Sequence, residues 1–348
     1  MSLVATMMQN LRTASNIDKY ENRASRYGGF ALFQKQTNDA NGIITPEMSD
    51  KFWGSIGRVF ETPVIDFDSN VTIKVGEARS LTIEDSENTS RMVAITPVTL
   101  AFGFTMFPTL FHNNEIGYQK DFTTKMLKYI NAMSVKLDEM CITKLNTERT
   151  KVLGNNLGFA FAPETAVVKA TYAQKDQILG SLETLMNSND YYDTLDVLGD
   201  MGLQNHINQL RQFGVYNEQY KALEFMGKNL FYSNRVTTDG EMAKGFAVNA
   251  GSVGVMWRVD REALYNTYSR TGREWGTDIL PGLNIPIGTM YYESDGDYSA
   301  IAGSASADMT ASHKQHFGFS VDCALVCAYN SRGNQGATPI MQFSIDKQ

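Results

Sequence analysis

Three cysteines in 348 residues, an odd number, do not make a disulfide framework, and the chain is expected in a reducing compartment. Histidine is equally scarce. Of four, only His313 and His316 lie close together, and no carboxylate or thiol joins them at zinc-ligand spacing, so a metal centre is not expected. The chain also lacks a glycine-rich loop carrying a lysine; "GSVGV" has neither the length nor the lysine to cradle phosphate. Nowhere do about 18 apolar residues run together, and "MSLVATMM" lacks a charged leader region, so neither a membrane span nor secretion is expected. Basic charge is short overall. Net charge is -7 with an isoelectric point near 5.2, which argues against a dedicated nucleic-acid-binding domain. No serine sits in a strand-turn-helix elbow, and no His/Asp pairing stands out. No cofactor is expected, and these absences point from enzyme toward structural protein.

What the chain does have is apolar patterning. At 43% hydrophobic and 20% charged it can build two core-forming units. Residues 1–50 mix polar residues with turn formers ("QKQTNDANG", then Thr45 and Pro46) and read as an extended arm. Over residues 1–36, Arg12, Lys19, Arg23, Arg26 and Lys35 outnumber Asp18 and Glu21, giving +3. The stretch "SNVTIKVGEARSLTIEDSENTSRMVAIT", residues 69–96, alternates with a period of two and reads as two strands joined by a polar tip. Val71, Ile73 and Val75 share one face with Thr72 and Lys74 opposite, and Leu81, Ile83, Val93 and Ile95 repeat the pattern. Seven acidic groups, Glu84, Asp85 and Glu87 among them, against three basic ones leave residues 61–100 at -4. A lone two-stranded ribbon is marginally stable, so its apolar face needs cover from its own domain or from another molecule.

Next, Phe122, Met126, Ile130, Met133, Leu137, Met140, Cys141 and Leu145 recur at steps of three and four. About 30 residues at roughly 1.5 Å each predict a rod near 45 Å, with Gly154 as its stop. Beyond it the pattern predicts helices over 173–187 and 203–213, the latter ending at Gly214, with strands in "DTLDVLG", "KNLFYSNRV" and "GFAVNAGSVGVMWRVD". The last third reads mostly as strand, with Asp-Gly and Arg-Gly-Asn turns. "ESDGDYS" groups Glu293, Asp295 and Asp297, but a tight turn accounts for them better than calcium. Phe317, Phe319, Val321, Cys323, Leu325, Cys327 and Tyr329 fall on odd positions of one strand, which places both cysteines on a buried face rather than at a redox or metal pair. Cys141, on the helix stripe, is expected in the core.

This order of parts resembles the major capsid protein of tailed bacteriophages, the Hong Kong 97 phage capsid fold, which is shared with encapsulin shells. The resemblance covers essentially the whole chain and lies in layout. It rests on "VIDFDSNVTIKVGEARSLTIEDSENTSRMVAITPVTLAFGFTM" as extended loop, "KDFTTKMLKYINAMSVKLDEMCITKL" as spine helix and "AKGFAVNAGSVGVMWRVD" as a late strand pair of the axial domain. It implies an α+β fold divided into an N-terminal arm (1–60), an extended hairpin loop (61–108), a peripheral domain with the spine helix (109–154), an α/β axial domain (155–260) and returning peripheral strands (261–348).

The resemblance implies an icosahedral shell of hexamers and pentamers enclosing double-stranded DNA, located in the virion and assembled in the host bacterial cytoplasm. The hairpin, through Val71, Ile73, Lys74, Val75, Glu84, Asp85, Glu87, Val93 and Ile95, would lie across a neighbouring subunit. Lys120, Lys125 and Lys128 would offer it a basic side of the spine helix, and Arg12, Lys19, Arg23 and Arg26 would face inward toward DNA or scaffold. The main partner is the chain itself. A separate scaffolding protein, a portal and decoration proteins are further candidates. Some members crosslink through a hairpin lysine; Lys74, the only one here, lies in the strand body, and crosslinking is not expected. Some members also begin with a long cleaved scaffolding region; here Met1 opens the arm almost directly, so a separate scaffold, or none, is expected. An encapsulin enclosing a cargo enzyme and a soluble α/β enzyme remain as alternatives.

Overall fold

The structure is a computed structural model that describes residues 3–13, 27–40, 42–56, 59–65, 90–108, 114–189, 191–192, 194–210, 214–217, 222–225, 227–238, 240–259, 273–296, 312–328 and 337–348. Its axis is helix α4, Glu115–Glu148, preceded by α1 (Leu3–Thr13), α2 (Gly28–Thr37) and α3 (Pro46–Gly54). Asn114 starts α4 by accepting the Gly117 N–H at 2.8 Å. The predicted stripe is buried: Phe122, Met126, Ile130, Met133, Leu137, Cys141 and Leu145 all face the core, and Met140 is half-buried. The helix ends at Glu148, with Arg149 already extended, and not at the expected Gly154. Thr150 ends it by joining strand backbone, its N–H donating to the Ile340 carbonyl and its hydroxyl accepting the Thr338 N–H.

The expected extended arm is corrected: the described parts of residues 1–54 hold three helices. In α1, Val4, Met7, Met8 and Leu11 form a one-sided apolar stripe that is buried. In α3, Thr45 accepts the Met48 N–H and Pro46 occupies the first turn, both helix-start devices.

Strands β4 (Ala160–Ala162), β5 (Val167–Ala170), β6 (Leu195–Gly199), β7 (Gly214–Asn217), β8 (Ala222–Phe225), β9 (Lys228–Tyr232), β10 (Ala243–Asn249) and β15 (Ile340–Ile345) make an eight-stranded sheet. Its order is β4-β5-β15-β10-β6-β9-β8-β7, with β15/β5 and β6/β9 parallel. Helices α5 (Lys175–Asn187) and α6 (Met201–Gln209) supply its second layer, through Ile178, Leu182, Leu203 and Ile207. Helix α6 stops at Gln209 instead of running to 213, and Gly214 opens β7 rather than closing a helix.

A five-stranded sheet is built from β3 (Val98–Met106), β11 (Val253–Arg258), β12 (Glu274–Leu280), β13 (Ile285–Gly296) and β14 (Ser312–Cys327). "AKGFAVNAGSVGVMWRVD" is therefore not one strand pair. β10 pairs β6 and β15, β11 pairs β14, and the chain crosses between sheets through Gly251 at φ +70°. β11, expected with the axial unit, lies in the five-stranded sheet, and β15, expected among the returning peripheral strands, lies inside the eight-stranded one. β13 runs through Gly296 and pairs Asp295 with His313, so no tight turn sits at Asp295–Gly296. The Arg-Gly-Asn turn lies outside the described residues.

Alternation along β14 holds from Phe317 to Cys323 and then fails. Ala324 and Val326 are buried on the other face against Ile44, Phe52 and Met256, while Leu325 and Cys327 are half-buried. The strand has a second packing partner there, and period-two reading assumes only one. The inner face of the sheet meets α4 in an aromatic layer: Phe104 opposes Phe317, Phe102 opposes Phe319, and Tyr129 stacks on Phe102 at 5.1 Å.

Candidate assembly surface

Strands β1 (Phe60–Ile65) and β2 (Ser90–Ile95) form the root of the hairpin, paired from Phe60↔Ile95 to Ile65↔Ser90. Val93 and Ile95 take its half-buried side. Ile95 packs beside Phe60 on the small core of Ile44 and Phe52, where the Phe52 and Phe60 rings meet edge-on at 5.7 Å. One side of the root is thus partly covered by its own chain. Val71, Ile73, Lys74, Val75, Glu84, Asp85 and Glu87 lie outside the described residues.

Between the root, the C-terminal half of α4 and β14 opens a cavity of about 910 Å³, lined by Val93, Ile95, Met140, Lys144 and Cys327 among others. Next to the root in sequence, Ile56, Val59, Met92 and Val98 remain 69%, 49%, 56% and 48% exposed, and Val98 lines the cavity.

The predicted basic groups are not equivalent. Lys120 and Lys128 are exposed, whereas Lys125 is ion-paired to Asp121 at 2.8 Å and donates to the Thr105 carbonyl at 3.2 Å. Arg12 is engaged within the chain, paired to Asp278 and donating to the Ile279 carbonyl at 2.9 Å, which ties α1 to β12. Lys19, Arg23 and Arg26 lie outside the described residues. Lys35, counted with the basic arm, reaches into the core and pairs with Asp196.

Candidate chemistry is spent on structure. His313 pairs with Glu293 at 3.2 Å. His316 bridges Thr105 and Ser294 and stacks on Tyr292 at 4.4 Å, and burial, with Lys314 beside it, lowers its pKa below the usual 6.5. Burial pushes the Cys323 and Cys327 thiols up to about 12 and Cys141 well above its ordinary value, which leaves them protonated and poorly nucleophilic. Among the described residues no three His, Cys, Asp or Glu side chains gather as a metal site.

Sequence reasoning missed Asp138, which is fully buried on the helix stripe between Leu137 and Cys141. Its signal was a carboxylate at a core-facing position. Asp138 accepts the N–H groups of Gly29 at 2.8 Å and Phe30 at 3.3 Å, the Ser233 hydroxyl, and Arg235 at 3.4 Å. Burial raises its pKa above the ordinary 3.8, outweighing the hydrogen bonds from Ser233, Phe30 and Gly29 and the Arg235 charge that lower it. A raised carboxyl pKa means the folded chain holds that proton more tightly than the unfolded chain does. The associated stability is fully present below the ordinary value and is lost as pH rises through the raised midpoint. Urea unfolding of Asp138→Asn is expected to show a flatter pH dependence than the parent just above pH 3.8; equal slopes would contradict the assignment.

No family model matches the chain, and no curated protein is similar to it in sequence. Solved structures are similar. The cyanophage A-1(L) capsid asymmetric unit aligns over 92% of this chain and 92% of its own at a TM-score of 0.52 and 8% identity. The capsid of cyanophage P-SCSP1u aligns over 84% of each chain at a TM-score of 0.42 and 12% identity, and Microbacterium phage Oxtober96 over 89% of this chain and 96% of its own at 0.44 and 13%. The fold is therefore that of phage capsid proteins: a long helix set against mixed sheets, shared with the A-1(L) subunit over nearly the whole chain.

Proposed function

We propose that this chain is the structural subunit of an icosahedral virus shell, assembling into hexamers and pentamers around double-stranded DNA. The observation that carries the reading is the match to a capsid subunit across 92% of both chains. The exposed apolar residues at the hairpin root support it, since a shell contact would bury them. Each contact need only be modest, because a ringed subunit sums many of them. The chain's chief partner is then itself, with a scaffolding protein, a portal, decoration proteins and non-specifically held DNA as further partners, no catalytic role, and the virion as its location after assembly in the host bacterial cytoplasm. No described helix is long and apolar enough to cross a membrane.

Expression of the chain alone and with candidate scaffolds, followed by sedimentation and negative-stain imaging, tests the reading. Closed shells, hexamers or pentamers are expected. A monodisperse monomer or dimer with every partner would overturn it, and shells that package protein cargo instead of DNA would favour the encapsulin alternative.

Electrostatics guide the docking in this reading: the acidic hairpin of one subunit approaches exposed Lys120 and Lys128 of the next. Changing Glu84, Asp85 and Glu87 together to Gln, Asn and Gln is expected to slow assembly about tenfold at low salt, with the difference shrinking as salt screens the charges. Light-scattering kinetics that are the same for both proteins at every ionic strength would sink the idea.

A further inference from the structure

We propose that α2 is a two-ended latch that holds the eight-stranded sheet against the five-stranded one, with Asp138 and Asp196 as its keepers. At its first turn the helix presents the Gly29 and Phe30 N–H groups to Asp138 of α4, so a carboxylate sits at the positive end of the helix dipole. Ser233 and Arg235, just beyond β9 of the eight-stranded sheet, hold the other carboxylate oxygen. At its last turn Lys35 pairs with Asp196 of β6, and Gln36 donates to the same carboxylate at 3.0 Å. The five-stranded sheet is gripped there too. Val253 and Val255 of β11 donate their backbone N–H groups to Gln36 Oε1 at 3.1 Å and Thr37 Oγ1 at 2.8 Å.

Two features make this a latch rather than ordinary packing. Gln36 and Asp138 are fully buried and Asp196 is 1% exposed, so a half-released helix strips a buried carboxylate of part of its partners, leaving Asp138 with only Ser233 and Arg235 or Asp196 without Lys35 and Gln36. Such intermediates are disfavoured, and the helix engages or disengages as a unit. Phe30, Leu32 and Phe33 of the same helix are buried with it, so release at one end pulls apolar surface from the other. A ten-residue helix spans about 15 Å, far enough that its two ends would be independent if they were merely local contacts. The latch belongs to the single chain and does not depend on the shell reading.

Hydrogen exchange of the full chain, resolved by residue, tests it. Ser233→Ala touches only the Asp138 end, and Lys35→Met only the Asp196 end. Either change is expected to lower protection about tenfold at Phe30 and by the same factor at Val253 and Val255, while Ile178 and Leu182 of α5 keep theirs. Loss confined to the mutated end would overturn the proposal. So would equal loss at Ile178 and Leu182, because the helix would then contribute only to global stability. Each variant is a full test by itself, so failure of one to fold leaves the other decisive.

Discussion

Replacing Phe317 with alanine is expected to cost about 3–5 kcal/mol of folding stability. The ring is 2% exposed and sits where three elements meet: edge-on to Phe122 of α4 at 5.3 Å, stacked with Phe104 of β3 at 5.4 Å, and tilted against Tyr291 of β13 at 5.2 Å. Removing it deletes apolar burial and three aromatic contacts worth roughly 0.5–1.5 kcal/mol each beyond their area. Its neighbours are poorly placed to refill the space, because Phe104 and Tyr291 are fixed by strand pairing on either side. Urea unfolding should show the midpoint fall with the slope unchanged. A loss below about 1 kcal/mol would mean that the sheet and α4 close over the cavity, and the aromatic layer would not be what seats the helix.

Gly28→Ala is the second large effect, expected to cost about 1–3 kcal/mol or to block folding. A Cβ there would lie 2.4 Å from the Tyr232 carbonyl oxygen and 2.5 Å from its nitrogen, and strand backbone cannot rotate away as a side chain can. Helix α2 would have to lift from the end of β9. Gly180→Ala is the matched control. It lies on the exposed face of α5 with nothing within 4 Å of the added Cβ, and it should stabilise by about 0.5–1 kcal/mol. Opposite signs at the two glycines, read by thermal or urea unfolding, establish close approach as the cause; a neutral Gly28→Ala would show that α2 is seated loosely.

These residues also show what the sequence makes legible. Helix α4 stands out because one apolar stripe repeats from Phe122 to Leu145, long enough for period 3.6 to exceed chance. Helix α1 carries the same spacing in Val4, Met7, Met8 and Leu11, but over 11 residues it is a weak signal beside the polar stretch that follows. Helix α2 begins with two glycines, poor helix formers, and its conformation is imposed by Asp138 and Tyr232 from far along the chain. Local pattern cannot report that. For the candidate assembly surface, the alternation that places Val93 and Ile95 on one face is read directly, whereas the engagement of Lys125 by Asp121 and Thr105 and of Arg12 by Asp278 depends on tertiary placement. Asp138 breaks the apolar stripe, and a charged residue at a core position is the one mark of buried polar architecture that a sequence displays.

The position of β15 sets an order of events during synthesis. It lies between β5 and β10, every residue from Ile340 to Ile345 is buried, and its partners are separated from it by about a hundred residues or more of chain. The eight-stranded sheet therefore has a gap in its middle until residue 345 has left the ribosome, with β5 held only by β4 and β10 only by β6. Nascent chains crowded on one message, each still missing that strand, present an unfinished sheet to one another until β15 is inserted.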